Sequence, residues 1–285
     1  MTVGLRPTQR RLAVLGSPIA HSRSPLLHAA AYRELGLDWE YKAIEVTGET
    51  LAEFVDSRDA AWRGLSLTMP LKRDVIPLLD SIDATARLTG SVNTLVFDEV
   101  GARHGFNTDV PGITDAFARR GFTTFDRIHV LGGGATAATA IAASAALGAR
   151  QVTVSVRSPE RAAALREVGR GVGVEVSIGS LAVAGTLSSD AIISTLPNGV
   201  DAGVGFDEST RRSTVLFDVA YEPWPSTLAS TWLAAGGTVI PGIDMLVHQA
   251  LIQIRIFVHG TPTIAVDREG HVLAVMREAV GAPRD

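Results

Sequence analysis

The chain has 285 residues, 46% of them hydrophobic and 20% charged, a composition that suits one large or two ordinary globular domains with a substantial core. A formal net charge of −4 and a pI near 6.0 give no sign of the basic face that nucleic-acid binding normally needs. With no cysteine, disulfides, thiolate metal sites and cysteine nucleophiles are excluded, and no apolar run reaches the ~18 residues of a membrane span. No metal, nucleic acid or membrane partner is therefore expected. The basic start, MTVGLRPTQRR, lacks the apolar stretch of a signal peptide. Residues 1–10 read as a disordered lead-in, GAPRD (281–285) as a frayed end, and the protein as cytoplasmic.

Short β-rich runs alternate with helical patterns, which predicts an α/β fold with mostly parallel sheets. LAVLG (12–16) reads as a strand, followed by the polar turn SPIAHSRS. In the next helix Ser24 is the expected N-cap and Pro25 the first residue; Leu27, Ala31 and Leu35 share a face, and Gly36 lies past the end. WEYKAIEV (39–46) is a second strand, ETLAEFVDS (49–57) a helix and GLSLT (64–68) a third strand. Residues 71–88 read as one helix. SVNTLVFDEVGARHGFNTD (91–109) reads as a hairpin turning near 99–101 and closing on an Asn-Thr-Asp corner.

The pattern changes at Val110-Pro111-Gly112, where a helix over 112–120 begins. It leads into IHVLGGGATAATAIAASAALGARQVTVSVRS (128–158), which reads as strand, Gly-rich turn, Ala-rich helix and strand. DAIISTLP (190–197), TVLFDVAY (214–221) and TVIPG (238–242) are further parallel strands, with PSTLASTWLAAGG (225–237) a helix among them. An amphipathic helix follows from Ile243 to about His259. The change of pattern near residue 110 is the expected domain boundary.

Gly132-Gly133-Gly134-Ala135-Thr136-Ala137 has the form G-x-G-x-x-A between a strand and a helix. Small residues there let a pyrophosphate approach the helix N-terminus, whose N–H groups and dipole favour an anion; a tight strand–helix turn is the plainer alternative. Arg157 ends the next strand and Arg161 follows one helical turn later, with Glu160 the only acid nearby. A carboxylate at that strand end suits the ribose of NAD, whereas arginine suits the 2′-phosphate of NADP. Two cations at a helix start oppose its dipole, so they call for an anion, and the cofactor is expected to be NADP.

Four polar clusters interrupt otherwise apolar strand ends: Ser22-Arg23-Ser24, Thr68 with Lys72, Asn93-Thr94, and Asn107-Thr108-Asp109. Each has a plain reading as a cap or turn. Together they lie where open α/β sheets place a binding crevice. Hydroxyls at a helix start suit a carboxylate, Asn, Thr and Asp suit vicinal hydroxyls, and a lysine beside a carboxylate suits acid–base work next to a nicotinamide. Gln249 falls off the apolar face of Leu246, Val247, Ala250, Leu251 and Ile254, toward water or a cleft.

GSPIAHSRSP, LTMPLK, SVNTL, FNTD and GIDMLVHQA, in this order and spacing, make the chain resemble the shikimate dehydrogenases from about residue 12 to 260. The resemblance implies a substrate domain, residues 1–110 with 243–285, joined to a Rossmann-type NADP domain, residues 111–242, and interconversion of 3-dehydroshikimate and shikimate. It implies Ser22 and Ser24 at the substrate carboxylate, and Thr68, Asn93, Asp109, Tyr221 and Gln249 at the ring hydroxyls or nearby groups. Lys72 and Asp109 match the catalytic pair. Reduction of the keto group builds negative charge on its oxygen; Lys72 would stabilise it and donate the proton, with Asp109 orienting the ammonium. On the cofactor side the match covers Gly132, Gly133, Gly134, Ala135, Thr136, Arg157, Ser158, Arg161, Val219 and Gly242. The pattern departs at Ser66 (usually Asn), at Ala135 and Val110 (usually Gly), and at Val156-Arg157-Ser158 (usually Asn-Arg-Thr). A homodimer fits the resemblance. The competing readings are a quinate/shikimate dehydrogenase using NAD and a non-catalytic NADP-sensing module, which would have no use for Lys72 and Asp109.

Overall fold

The computed structural model describes residues 9–197 and 203–282, which divide into two compact units. Unit 1 takes in the described residues up to Arg87, Ser91–Thr108 and those from Val247 onward; unit 2 comprises Leu88–Gly90 and Asp109–Leu246. The strands are β1 (Arg10–Gly16), β2 (Trp39–Glu45), β3 (Trp62–Leu67), β4 (Ser81–Ile82), β5 (Thr94–Phe97), β6 (Arg103–Phe106), β7 (Arg127–Leu131), β8 (Gln151–Val156), β9 (Glu175–Ser180), β10 (Ala191–Ser194), β11 (Val215–Asp218) and β12 (Val239–Pro241). The α-helices are α1 (Ser24–Glu34), α2 (Leu51–Asp56), α3 (Leu71–Asp74), α4 (Ala84–Thr89), α5 (Asp109–Arg119), α6 (Ala135–Ala146), α7 (Leu165–Val172), α8 (Glu208–Ser213), α9 (Thr227–Ala234), α10 (Gly242–His259) and α11 (Glu269–Ala279).

The sheet of unit 1 runs β2-β1-β3-β5-β6-β4. β1 is parallel to β2 and β3, while β5 is antiparallel to both β3 and β6. Leu12–Leu15 are buried on both faces, which is why β1 reads as an unbroken apolar run. Leu15 pairs with Leu67, Ser66 with Thr94, and Thr94 with Phe106. This register brings the ends of β1, β3 and β6 and the start of β5 to one edge of the sheet. α10 lies on β3 at Gly64, where a Cβ would come within 2.4 Å of the Phe257 ring and 2.7 Å of the Leu95 carbonyl. Only glycine admits that approach.

Unit 2 carries a six-stranded parallel sheet in the order β12-β11-β10-β7-β8-β9. Numbered within the unit this is the doubly wound order 3-2-1-4-5-6, whose switch point falls between β7 and β10. Ala137, Ala140 and Ala143 of α6 are fully buried in its core. Val110 packs against the same core, which accounts for an aliphatic side chain where the resemblance has glycine.

Several local expectations are corrected. Residues 71–88 form α3, a short 3₁₀ turn (Ile76–Leu78), β4 and then α4, not one helix. Pro77 brings no N–H, Asp80 Oδ2 accepts the Arg103 N–H (2.8 Å), and Asp83 Oδ1 accepts the Ala86 N–H (2.7 Å) at the start of α4. α1 begins at Ser24 itself, with Arg23 in the cap position and no side-chain cap, whereas Gly36 does adopt the left-handed conformation (φ 67°) past its end. α5 starts at Asp109, three residues earlier than expected, because Pro111 is tolerated in a first turn. Arg10 already belongs to β1; residues 1–8 and 283–285 lie outside the described residues. β9, α7, α8 and α11 were not anticipated. The first three fall in a stretch rich in small and charged residues, and α11 lies beyond the last recognisable motif.

Arg255 grips Glu269 with two bonds, Nε to Oε2 (2.7 Å) and Nη2 to Oε1 (2.5 Å), tying α10 to α11. The guanidinium holds the Glu269 carboxyl below its ordinary value. A depressed folded pKa means stability that is present above the unfolded value of 4.5 and is lost as pH falls through the lower folded value. Glu269→Gln is therefore expected to cost about 1 kcal/mol at neutral pH. Urea unfolding of both proteins as a function of pH checks this: the gap should close as the pH drops below 4.5.

Candidate active site

The polar edge of the sheet in unit 1 is built by main-chain bonds. Leu67 donates to the Asn93 carbonyl (2.8 Å), Thr68 to Leu15 (2.9 Å) and Val92 to the Lys72 carbonyl (2.9 Å). Thr68 therefore caps the end of β3, and the short helix carrying Lys72 is tied to the segment just before Asn93. Ser22 and Ser24 stand beyond β1 at the entry to α1, and the Ser24 N–H points to Ser22 Oγ at 3.4 Å. Because no side chain caps α1, Ser24 keeps its hydroxyl for other work.

Asn93, Thr108 and Gln249 are buried together. Asn93 Oδ1 accepts the Thr108 N–H (2.9 Å); Asn93 Nδ2 donates to Thr108 Oγ1 (2.8 Å) and to Gln249 Oε1 (3.3 Å). Gln249 thus faces a polar cluster, as its position off the apolar face of α10 required. Asn107 anchors the corner through Nδ2 to the Ser91 carbonyl (2.9 Å). Among the predicted substrate residues, unit 1 brings Thr68, Lys72, Asn93 and Gln249 to this edge.

Asp109 and Tyr221 belong to unit 2. Asp109 opens α5, 4% exposed, where the helix dipole favours a carboxylate. Tyr221 is partly buried, three residues beyond β11. The segment leading to it is held by Asp218, which sequence reasoning missed. Its Oδ1 accepts the Ala220 N–H (3.2 Å) and its Oδ2 the Ser226 hydroxyl (2.5 Å), while Ser226 caps α9 by accepting the Ala229 N–H (3.0 Å). Burial raises the Asp218 carboxyl above its ordinary value despite these donors.

The glycine turn fits a dinucleotide. Gly132 has φ 111°, and a Cβ there would meet Thr195 Oγ1 at 2.4 Å; at Gly133 it would lie 2.9 Å from Val156. Gly134 stands at the head of α6 with no side-chain cap, and a Cβ there would meet nothing within 4 Å. The Ala137 N–H already reaches the Gly134 carbonyl (3.1 Å), so it is the N–H groups of Ala135 and Thr136 at the start of α6 that suit an anion. Arg157 and Arg161 are exposed beyond β8, Ser158 is half-buried, and among the described residues neither guanidinium pairs with a carboxylate. The expectation that both cations oppose a helix dipole is corrected. Arg161 lies in a 3₁₀ turn (Pro159–Ala162) and α7 begins only at Leu165. Val219 and Gly242 are brought together, the Gly242 N–H reaching the Ala220 carbonyl at 3.2 Å.

A doubly wound parallel sheet with this turn, joined to a second α/β unit with a polar edge carrying a lysine, defines a two-unit dinucleotide-dependent oxidoreductase. Residues 14–95 match the family model for the shikimate dehydrogenase substrate binding domain. Over 262 residues the chain is 33% identical to the shikimate dehydrogenase (NADP(+)) of Methanothermobacter thermautotrophicus, covering 89% of this chain and 92% of that one. It is similar to the crystal structure of a shikimate 5-dehydrogenase from Mycobacterium fortuitum (39% identity, TM-score 0.80, 96% of this chain and 99% of that one). It is likewise similar to the shikimate dehydrogenase of Mycobacterium tuberculosis (38% identity, TM-score 0.83, 96% of this chain and 100% of that one). The chain belongs to the shikimate dehydrogenase family.

A Cβ on Gly242 would come within 2.1 Å of the Val219 carbonyl oxygen and 2.9 Å of the Ala220 oxygen, both rigid main chain. Gly242→Ala is expected to destabilise unit 2 by ~1–3 kcal/mol, as overpacking does. Thermal unfolding measures it, and a midpoint equal to that of the parent would show that the two segments separate without cost.

Proposed function

We propose that the protein catalyses the reversible NADPH-dependent reduction of 3-dehydroshikimate to shikimate, a step of aromatic biosynthesis in the cytoplasm. The observation that carries this reading is the gathering of Thr68, Lys72, Asn93 and Gln249 at one edge of the sheet in unit 1, in the family's motif order. Residues 1–110 with 243–285 serve the substrate and 111–242 the cofactor. Ser22 and Ser24 hold the substrate carboxylate. Thr68, Asn93, Asp109, Tyr221 and Gln249 engage the ring hydroxyls and their neighbours.

Bound NADPH supplies the hydride. Lys72 donates the proton to the carbonyl oxygen as negative charge builds there, and in the reverse direction takes the hydroxyl proton. Asp109 orients the ammonium. Gly132, Gly133, Gly134, Ala135 and Thr136 receive the pyrophosphate, and Val219 and Gly242 border the cofactor elsewhere. Arg157 and Arg161, with Ser158, clamp the 2′-phosphate through charge-assisted bonds. Two exposed cations without carboxylate partners support that choice over NAD. A homodimer belongs to the same reading, and sedimentation tests it.

Initial rates with shikimate or quinate, each with NADP or NAD, test the function. Shikimate with NADP should give by far the highest kcat/KM, and preference for quinate or NAD would overturn the reading. Arg157→Ala is expected to raise KM for NADP by roughly tenfold or more while leaving NAD nearly unchanged. Arg161→Ala should act in the same direction, with non-additive losses in the double variant because both serve one group. Equal penalties on the two cofactors would show that the arginines shape the pocket without reading the phosphate.

A further inference from the structure

Unit 1 contains a hydrogen-bonded chain of buried side chains that continues beyond the residues assigned above. The Tyr41 hydroxyl donates to Ser66 Oγ (2.7 Å) and Ser66 donates to Gln253 Oε1 (2.8 Å). Gln253 Nε2 then donates to the Asn93 carbonyl (3.1 Å) and to Thr94 Oγ1 (3.0 Å), and Thr94 donates to Asn93 Oδ1 (2.9 Å). Tyr41, Ser66, Thr94 and Gln253 are all buried, Gln253 at 2% exposure.

The chemistry of each group dictates the direction of the chain. A main-chain carbonyl only accepts, so the Gln253 atom facing Asn93 O is its N–H₂, and its oxygen faces Ser66. Thr94 receives from Gln253 and passes its single hydrogen to Asn93 Oδ1. The Thr108 N–H, which only donates, meets the same oxygen. The Asn93 carboxamide is left with one orientation, its nitrogen toward Gln249 Oε1. The chain also stays uncharged at its far end. Burial pushes the Tyr41 phenol up, and lowers His28, stacked on Tyr41 at 3.8 Å, to about 3.

Gln249 and Gln253 are one turn apart on α10, and both grip Asn93, the first by its side chain and the second by its main chain. We propose that Gln253 is a positioning residue for the substrate: it sets the register of α10 against β5, so that Asn93 and Gln249 present their amides to the ring hydroxyls together. Gln253 acts through Asn93 and Thr94 and does not touch the substrate. Ser66 is the short side chain that bridges Tyr41 to Gln253 at this point. The proposal rests on the functional reading above.

Gln253→Met keeps the length of the side chain and removes its hydrogen bonds. It is expected to raise KM for shikimate, and the calorimetric Kd for shikimate in cofactor-free protein, by roughly three- to thirtyfold, with kcat within about twofold and KM for NADP unchanged. Gln253→Glu should show the same pattern at alkaline pH, where the buried carboxyl is ionised and a carboxylate oxygen faces the Asn93 carbonyl. Its shikimate affinity should recover as the pH falls and the protonated carboxyl donates to that carbonyl, a response that packing alone would not give. If either protein fails to fold, Ser66→Ala, which removes the hydroxyl that donates to Gln253 and accepts from Tyr41, should still raise both constants about two- to fivefold. Unchanged shikimate constants, or a fall in kcat alone, would overturn the proposal while the wild-type enzyme remains active. A wild-type protein that neither binds nor oxidises shikimate would instead remove the functional reading, and the proposal with it.

Discussion

A carboxamide buried beside a β-sheet must find partners for both its oxygen and its nitrogen, and in unit 1 that requirement decides how Asn93, Thr108 and Gln249 stand together. An unmet buried donor or acceptor costs about 1–3 kcal/mol, a large part of the stability of a whole domain. Asn93 meets it by accepting on Oδ1 from Thr108 and Thr94 and donating from Nδ2 to Thr108 and Gln249. The same contacts tie the start of β5, the end of β6 and α10 into one block. Gly64 lets α10 approach β3 closely enough for its amides to reach that block. Polar groups held in one orientation reject a ligand that cannot pair with them, which is how this block would select hydroxyls under the proposed function.

Unit 2 solves a different problem with main chain. The pyrophosphate end of a dinucleotide needs close backbone approach, which Gly132, Gly133 and Gly134 permit, and an uncapped helix N-terminus, which α6 provides. The segment after β11 is held in place where Asp218 and Ser226 brace the chain and Gly242 packs on Val219. Few side chains in this unit need to be polar, which fits its alanine-rich helix and apolar strands.

The sequence made much of this legible where one short pattern carries the information. The buried strands are continuous apolar runs, the glycine turn is six consecutive residues, and Lys72 stands out as a cation directly after an apolar strand. It misled where local pattern and local bonding disagree. Leu71, Val75 and Leu79 share helical spacing, yet Pro77, Asp80 and Asp83 break the segment into four elements. Ser24 has the chemistry of a cap but sits one residue inside the helix. Arg161 looks like the first turn of a helix but belongs to a 3₁₀ turn. The chain from Tyr41 through Ser66 to Gln253 was unreadable for another reason, since Ser66 and Gln253 are 187 residues apart. Its one visible sign was a second glutamine one turn beyond Gln249 on the same helix.

Lys72 is the residue on which the proposed proton transfer depends. Shikimate affinity by calorimetry and turnover with saturating NADP, measured for Lys72→Ala beside the parent, test it most directly. Turnover should fall by ~10²–10⁴-fold while shikimate affinity changes little, as loss of a general acid–base group requires. Near-normal turnover in the variant would contradict the assignment.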